Sequence, residues 1–169
     1  MRSAPKDDGS KPSSEREAGG GTPGGRSGSP TPPGTPRLRF EPLDTPELAE
    51  HWRRHGFGDW RLTHGDEFAG LAEIHYAWPG VTGISTDEVE AGWEIVEALR
   101  GRGLATEAMR AAIADAWERT GADHLVAYIR PENAASLRVA EKLGFRFREN
   151  GLTRSGDPML VFELRRGPT

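Results

Sequence analysis

Between residues 89 and 120, a predicted strand passes through a turn that contains two glycines and then directly into a long predicted helix. Apolar residues dominate positions 89–96, and from Leu104 onward apolar side chains recur at helical spacing. Gly101 and Gly103 let the main chain point its N–H groups in one direction, and the first turn of the helix adds unpaired N–H donors. We expect such a turn to bind an anion of the size of a phosphate or diphosphate.

The turn does not match the named phosphate-binding motifs. It lacks the Gly-Lys-Ser/Thr ending of a P-loop, and it lacks the third glycine and the acidic residue of a dinucleotide-binding fold. Two glycines separated by one residue also occur in plain tight turns, so this pattern alone leaves both interpretations open. Arg100 and Arg102 add positive charge at the rim of the turn, which suits an anionic ligand.

The rest of the chain alternates between strand and helix patterns. Period-two apolarity predicts strands at residues 37–43, 60–63, 68–76, 89–96, 124–130, 145–149 and 159–164. Helical spacing predicts a short helix after Asp44 or Thr45, a long helix from Leu104 to Gly121, and a helix from the N-cap Asn133 to Gly144. This order predicts a mixed α/β fold in which helices flank a largely antiparallel sheet.

The first 36 residues differ in composition from the rest. Between residues 1 and 36 the chain holds 8 Gly, 7 Pro and 6 Ser, so 21 of 36 residues break secondary structure or are small and polar. Such a segment cannot bury enough apolar surface to offset the entropy lost on ordering. We therefore expect a disordered leader at 1–36 and one domain at 37–169.

Composition also excludes several classes of protein. There is no cysteine among the 169 residues, so a disulfide framework, a thiolate metal site and a cysteine nucleophile are excluded, and we expect no bound metal. No apolar stretch is long enough to cross a membrane, and the first residues lack the pattern of a signal peptide, which favours a cytoplasmic protein. The formal net charge of −4 argues against a nucleic-acid partner.

Two motifs at a fixed separation resemble the GNAT superfamily of acyl-CoA-dependent N-acyltransferases. Residues 100–105, Arg-Gly-Arg-Gly-Leu-Ala, match the acyl-CoA loop of that family, Arg/Gln-x-x-Gly-x-Gly/Ala. Residues 133–136, Asn-Ala-Ala-Ser, followed by Leu-Gly-Phe at 143–145, are similar to the second signature of the subfamily that acetylates ribosomal-protein N-termini. The resemblance runs from residue 90 to 145, and more loosely from residue 37 to the C-terminus.

The resemblance implies that acetyl-CoA lies in a V-shaped opening between the strands at 89–96 and 124–130. The diphosphate would rest on the loop 100–105, and the pantetheine arm would pair with the main chain near Ile95 and Val96. Asn133 is expected to contact the CoA arm, to cap its helix, or both. The cofactor-binding residues implied are Ile95, Val96, Arg100, Gly101, Arg102, Gly103, Leu104, Ala105 and Asn133.

Transfer of an acetyl group to an amine needs a base for the amine and an acid for the departing thiolate. Glu94 lies on one strand face with Glu90 by alternation and is the first candidate base, followed by Glu73 and His75 on the neighbouring strand. The resemblance points to Ser136 as the acid, and Tyr128 projects from the adjacent strand. Each acid also fits a solvated strand face, and Ser136 also fits an ordinary role in the first turn of its helix.

One departure from the family pattern leaves the acceptor open. Only about fifteen residues, 45–59, lie between the first two predicted strands, where the family usually has two helices that wall the acceptor site. We expect an N-acetyltransferase that acts on a primary amine by direct transfer, as a monomer or homodimer. The alternative is a non-catalytic acyl-CoA-binding module with a reduced acceptor site.

Overall fold

The computed structural model describes residues 32–167, so the predicted leader falls almost entirely outside the described residues. Its last five positions, 32–36, are in neither helix nor strand. The described part forms seven strands and three α-helices: β1 Arg39–Pro42, α1 Pro46–His55, β2 Trp60–His64, β3 Glu67–Tyr76, β4 Val89–Ile95, α2 Leu104–Thr120, β5 His124–Ile129, α3 Ala134–Leu143, β6 Arg146–Leu152 and β7 Pro158–Arg165. A 3-10 turn, Glu97–Leu99, follows β4.

All seven strands form one sheet in the order β1-β2-β3-β4-β5-β7-β6. Every neighbouring pair is antiparallel except β4 and β5, which are parallel and are joined through α2. The predicted mixed α/β fold with a largely antiparallel sheet is therefore confirmed. β1 starts at Arg39, two residues later than predicted. The main-chain N–H of Arg37 donates to Glu107 of α2 and is therefore not available to a neighbouring strand, and the Arg37 guanidinium binds the same carboxylate.

The apolar face of α2 packs against the centre of the sheet. Leu104, Met109 and Ala112 are almost fully buried and lie at the spacing that the sequence predicts. They belong to the same core cluster as Ile74 of β3. Removing this much apolar surface from water is the main source of stability for the fold. None of the helices within residues 32–167 is long and apolar enough to cross a membrane.

The connection between β3 and β4, residues 77–88, reaches β6, the strand at one edge of the sheet, and is hydrogen-bonded to it. Thr82 exchanges hydrogen bonds with Leu152: the Thr82 N–H donates to the Leu152 carbonyl at 3.0 Å, and the Leu152 N–H donates to Thr82 Oγ1 at 2.9 Å. Arg148 donates to Glu88 Oε1 at 2.6 Å and to the carbonyl of Gly83 at 2.7 Å. These contacts fix a long connection that has no strand or helix of its own.

Glu88 is the main acceptor in this attachment, so its replacement by Gln should lower the melting temperature at pH 7. Although burial acts in the opposite direction, the hydrogen bonds from Arg148, Ser85 and His124 lower the pKa of Glu88 to about 2. A carboxyl whose pKa is lowered by folding stabilises the protein above its unfolded pKa of about 4.3, and this contribution disappears as the pH falls toward 2.

We therefore expect Glu88→Gln to lose about 1–3 kcal/mol of unfolding free energy at pH 7. The difference from the unmodified protein should shrink between about pH 4 and pH 2. Thermal unfolding across this pH range measures both effects, and Glu132→Gln, which alters an exposed carboxyl, is the matched control. A melting temperature that is equally low at every pH would contradict the assigned role of the Glu88 charge.

Candidate active site

β4 and β5 diverge from each other, which opens a cleft in the middle of the sheet. Within the described residues these two strands pair only at Glu90 and Val126, whereas β3 and β4 pair at seven successive positions and β5 and β7 at six. Because β4 and β5 are parallel, both point their C-terminal ends into this opening. The main-chain groups on the facing edges of the two strands are therefore free of sheet hydrogen bonds beyond the position of Glu90.

Ile95 and Val96, the two residues predicted to pair with a pantetheine arm, face opposite ways. The Val96 N–H donates to the carbonyl of Ala69 at 3.0 Å, so this group belongs to the ladder with β3. Main-chain groups alternate in direction along a strand, so those of Ile95 face the cleft. The Ile95 carbonyl accepts a hydrogen bond from Nε of Arg100 at 2.9 Å. Of this pair, Ile95 alone offers its main chain to the cleft.

The loop between the 3-10 turn and α2 depends on two glycines. Gly101 has a φ of 73° and Gly103 a φ of 77°, which is the left-handed region that other residues enter only with strain. Gly103 is the residue that caps α2, and the next N–H groups have no partner within the helix. These donors and the positive end of the helix dipole point to the mouth of the cleft, where an anion would be stabilised.

Arg102, within the loop, and Arg37, from the segment before β1, hold the main chain of the loop in place through hydrogen bonds. Nη2 of Arg102 donates to the carbonyl of Ala98 at 3.2 Å, and Nη1 of Arg37 donates to the carbonyl of Arg102 at 3.0 Å. Nε of Arg37 also donates to Glu107 Oε2 at 2.6 Å, which ties the segment before β1 to the first turns of α2. The loop is thus held in shape from both sides while its guanidinium groups keep the surroundings positive.

The cleft has a volume of about 550 Å³. Nine of the residues predicted from the sequence line it: Glu94, Ile95, Arg100, Gly101, Gly103, Leu104, Ala105, Asn133 and Ser136. Val96, Arg102 and Tyr128 do not line it. Arg138 and Lys142 of α3 also face the cleft and were not predicted, although their spacing of four residues on the third helix was visible in the sequence.

Asn133 acts as the N-cap of α3. Its Oδ1 accepts a hydrogen bond from the main-chain N–H of Ser136 at 3.1 Å, which satisfies one of the unpaired donors at the start of the helix. This contact uses the N–H of Ser136 and leaves the hydroxyl outside the cap. Both expectations for these residues are compatible with the geometry, because they cap the helix and line the cleft at the same time.

A buried cluster of acidic and histidine side chains lies where β4 and β5 come together. Glu90 is 7% exposed, His75 5% and Asp59 2%. Asp59 Oδ1 is 2.8 Å from Nδ1 of His75 and accepts the N–H of Ile74, also at 2.8 Å. Nε2 of His75 lies 3.8 Å from Oε2 of Glu90 and has no hydrogen-bond partner among the described residues.

The burial of these groups changes their acidity. Burial, together with the carboxylates of Glu73 and Asp59, raises the pKa of Glu90 to about 7 against the opposing effect of His75. Burial and the charge of Glu90 raise the pKa of Tyr128 to about 12. Burial alone would lower the pKa of His75, but its hydrogen bond to Asp59 and the nearby carboxylates outweigh it and raise that pKa. At neutral pH Glu90 can therefore accept a proton, and Tyr128 keeps its hydroxyl proton.

The structure therefore adds Glu90 and Asp59 to the acidic candidates from the sequence. Glu94 lies in the cleft but is exposed, whereas Glu90, on the same strand face, is buried at the point where the cleft closes. Strand alternation had already placed Glu90 beside Glu94. Asp59 had no signal in the sequence, because it lies in a loop before β2 and reaches His75 only through the tertiary fold.

The region where the resemblance predicts two helices around an acceptor site is built differently in this chain. A single helix, α1, lies between β1 and β2, as the short interval at 45–59 predicts. The β3–β4 connection supplies a second wall, since the ring of Trp78 lies 5.6 Å from the ring of His75 and Val81 pairs with Thr153 after β6. The acidic cluster is thus bordered by α1 on one side and by this connection on the other.

A family model described as an acetyltransferase (GNAT) domain matches residues 28–146. Among solved structures, a GnaT-family protein from Bordetella pertussis is similar with a TM-score of 0.66 and 26% identity, over 77% of this chain and 96% of that chain. The yncA protein of Salmonella typhimurium, solved with its cofactor acetyl-CoA, has a TM-score of 0.60 and 21% identity over 73% of each chain. A ribosomal-protein-alanine N-acetyltransferase from Brucella melitensis has a TM-score of 0.59 and 21% identity, over 71% of this chain and 75% of that chain.

Proposed function

The chain belongs to the acetyltransferase (GNAT) domain family, and from that premise we propose that it transfers an acetyl group from acetyl-CoA to a primary amine, with the domain at residues 37–169. The observation that carries the proposal is the cleft between β4 and β5, which ends on the loop of Gly101 and Gly103. The acceptor is a peptide N-terminus or a small-molecule amine. Acetyl-CoA supplies the acetyl group as a thioester, which an amine can attack.

The residues of the cleft fit this donor in charge and shape. The N–H groups of the glycine loop and the start of α2 suit a diphosphate. Arg138 and Lys142 bring two positive charges from α3 to the opposite side of the same cleft. The main-chain groups of Ile95 offer the hydrogen bonds that an extended pantetheine arm makes when it adds to a strand edge.

We assign the base to Glu90, with Glu94 as the second candidate. A peptide N-terminus has a pKa of about 8 and an alkylamine one of about 10, so either reaches the site mostly as an ammonium ion at pH 7 and must lose a proton before attack. The pKa of Glu90, about 7, makes its carboxylate a stronger base than an ordinary glutamate. Glu94 is exposed in the cleft.

Ser136, which lines the cleft, is the first proposed donor to the sulfur of CoA, and Tyr128, which lies beside Glu90 and outside the cleft lining, is the second. The raised pKa of Tyr128, about 12, keeps its hydroxyl protonated at neutral pH, so it can donate a hydrogen bond to a thiolate. Ser136 lines the cleft with its hydroxyl outside the helix cap. The chain has no cysteine, so an acetyl-cysteine intermediate is excluded and direct transfer between the two bound substrates is the proposed route.

One observation favours a second candidate function, a module that binds acyl-CoA without catalysis. Only α1 lies between β1 and β2, which leaves the acceptor side with fewer helices than the family usually has. The buried cluster of Glu90, His75 and Asp59 favours the enzyme, because burying three titratable groups costs stability and such groups are found mainly at functional sites.

The two functions are separated by measuring CoA binding and acetyl transfer on the full chain. Titration calorimetry with CoA tests the cleft, and release of free thiol from acetyl-CoA tests turnover with a panel of a peptide N-terminus, a polyamine and an aminoglycoside. We expect both binding and turnover with at least one of these amines. Binding without turnover on any amine would favour the non-catalytic module, and no heat of binding would contradict both functions.

A further inference from the structure

The acceptor nitrogen has to lose two protons during the proposed reaction. An ammonium group carries three, and the amide nitrogen of the product carries one, because a C–N bond forms as the C–S bond of the thioester breaks. One proton returns to the sulfur of CoA, and the other leaves for solvent. A single carboxylate can hold only one of them at a time, so an enzyme that uses Glu90 as base gains from a second group that takes the first proton.

His75 is placed to be that second group. Its Nε2 faces Oε2 of Glu90 at 3.8 Å and has no hydrogen-bond partner among the described residues. This distance is longer than a hydrogen bond, and a small rotation of either side chain shortens it, as catalytic contacts often do when substrate binds. An unpaired ring nitrogen buried this deeply is costly, so its position next to a buried carboxyl calls for an explanation in function.

Asp59 fixes which nitrogen of His75 is free. Its Oδ1 lies 2.8 Å from Nδ1, so the proton of the neutral ring is held at Nδ1 and the lone pair at Nε2 points to Glu90. The N–H of Ile74 donates to the same oxygen of Asp59, which prevents the carboxylate from turning away. When Nε2 gains a proton, the imidazolium lies directly against the Asp59 carboxylate.

We infer that Asp59 and His75 form a proton relay behind Glu90, in which the proton that Glu90 takes from the ammonium passes to Nε2 of His75. Glu90 is then a carboxylate again and can accept the second proton from the same nitrogen. Asp59 and His75 do not touch the substrate and are positioning residues for Glu90. This inference rests on the proposed function, because the relay serves an amine acceptor.

The other groups around the relay stabilise the imidazolium that His75 becomes when it accepts the proton from Glu90. Glu73, on the same strand as His75, adds a third carboxylate to those of Asp59 and Glu90. His51 of α1 is the nearest group that could oppose it, with its ring 6.4 Å away. Burial lowers the pKa of His51, and the hydrogen bond to the Phe57 carbonyl offsets this only in part, so this ring stays neutral at pH 7. Tyr128 faces Glu90 from β5 as a neutral hydroxyl.

Replacing Asp59 by Asn tests the relay with little change of shape. An Asn oxygen can still accept the N–H of Ile74, but the negative charge behind His75 is lost. We expect kcat to fall by about 10²-fold, with the KM for acetyl-CoA unchanged. The acidic limb of the kcat profile should move to lower pH, because removing a nearby negative charge makes both His75 and Glu90 harder to protonate.

His51→Gln is the matched control, because His51 is a buried imidazole of similar size whose two nitrogens bond to main-chain groups outside the relay. It should lower the melting temperature and leave the acidic limb in place. An Asp59→Asn enzyme with the kcat and pH profile of the unmodified protein would overturn the relay. A shift of the acidic limb in His51→Gln as large as that in Asp59→Asn would also overturn it.

NMR of the imidazole nitrogens gives a second readout that needs no activity. We expect the neutral ring of His75 to carry its proton at Nδ1, and Glu90→Gln to move the titration of His75 to lower pH. An unchanged titration would overturn the relay, even where Asp59→Asn does not fold. If the unmodified protein acetylates no amine in the panel, the proposed function fails, and the NMR result alone decides whether His75 and Glu90 share a proton.

Discussion

Glu90→Gln is expected to lower kcat by about 10²–10⁴-fold, the usual contribution of a positioned general base. The substitution keeps the shape of the side chain but removes its ability to accept a proton from the acceptor amine. Glu90 lies where the cleft closes and away from the glycine loop, so the Kd for CoA should stay within about twofold of that of the unmodified protein. Steady-state kinetics and titration calorimetry on the same samples measure the two quantities.

The pH dependence of kcat tests whether Glu90 acts as a base. The pKa of Glu90 is about 7, so the base is protonated and inactive at low pH, and kcat should rise with pH up to about 7 and then level off. This limb should be absent from the residual activity of Glu90→Gln. The matched control is Glu94→Gln, which removes an exposed carboxylate from the same strand face. A larger loss of kcat in Glu94→Gln than in Glu90→Gln would move the role of base to Glu94.

Gly103→Val is expected to abolish measurable CoA binding while the protein still folds. The residue has a φ of 77°, which a β-branched side chain adopts only with strain, so the main chain at this position would rotate to relieve it. Rotation turns the N–H groups of the loop away from the cleft and moves the first turn of α2. A side chain here would also extend toward Arg37, which braces the same loop, at 3.8 Å from its Nη2.

Gly156→Val separates loss of binding from general strain. Gly156 has a φ of 85° with no atom within 4 Å of an added Cβ, and it lies in the turn between β6 and β7, far along the chain from the loop. Both variants should lose a similar amount of stability, about 1–2 kcal/mol for the forbidden backbone region. Calorimetry should show normal CoA binding for Gly156→Val. Normal binding for Gly103→Val would contradict the assignment of the diphosphate to this loop.

The glycine loop and the helices α2 and α3 could be predicted because their signals are local. Helical spacing from Leu104, the cap at Asn133 and the glycines at 101 and 103 each act within a few residues, and the structure has helices α2 and α3 at those positions. The divergence of β4 and β5 has no local signal. It was expected from the family resemblance, and the single pairing of Glu90 with Val126 agrees with it.

The buried cluster could be predicted only in part. Alternation along β4 places Glu90 and Glu94 on one face, but it does not say which of them is buried, because burial depends on what packs over that face. The cover comes from the β3–β4 connection, whose attachment through Glu88 and Arg148 joins residues 60 positions apart. The contact of Asp59 with His75 likewise depends on the pairing of β2 with β3, and no pattern within either strand encodes it.

The single pairing between β4 and β5 divides the sheet into two leaves. One leaf consists of β1 to β4 and the other of β5, β7 and β6, and each is continuously antiparallel within itself. A molecule that hydrogen-bonds along the open edge of β4 extends the first leaf by one strand and fills the gap to the second. The donor substrate would thus add hydrogen bonds between two leaves that already share one core and are tied by the β3–β4 connection, and it should raise the melting temperature of the fold as a whole.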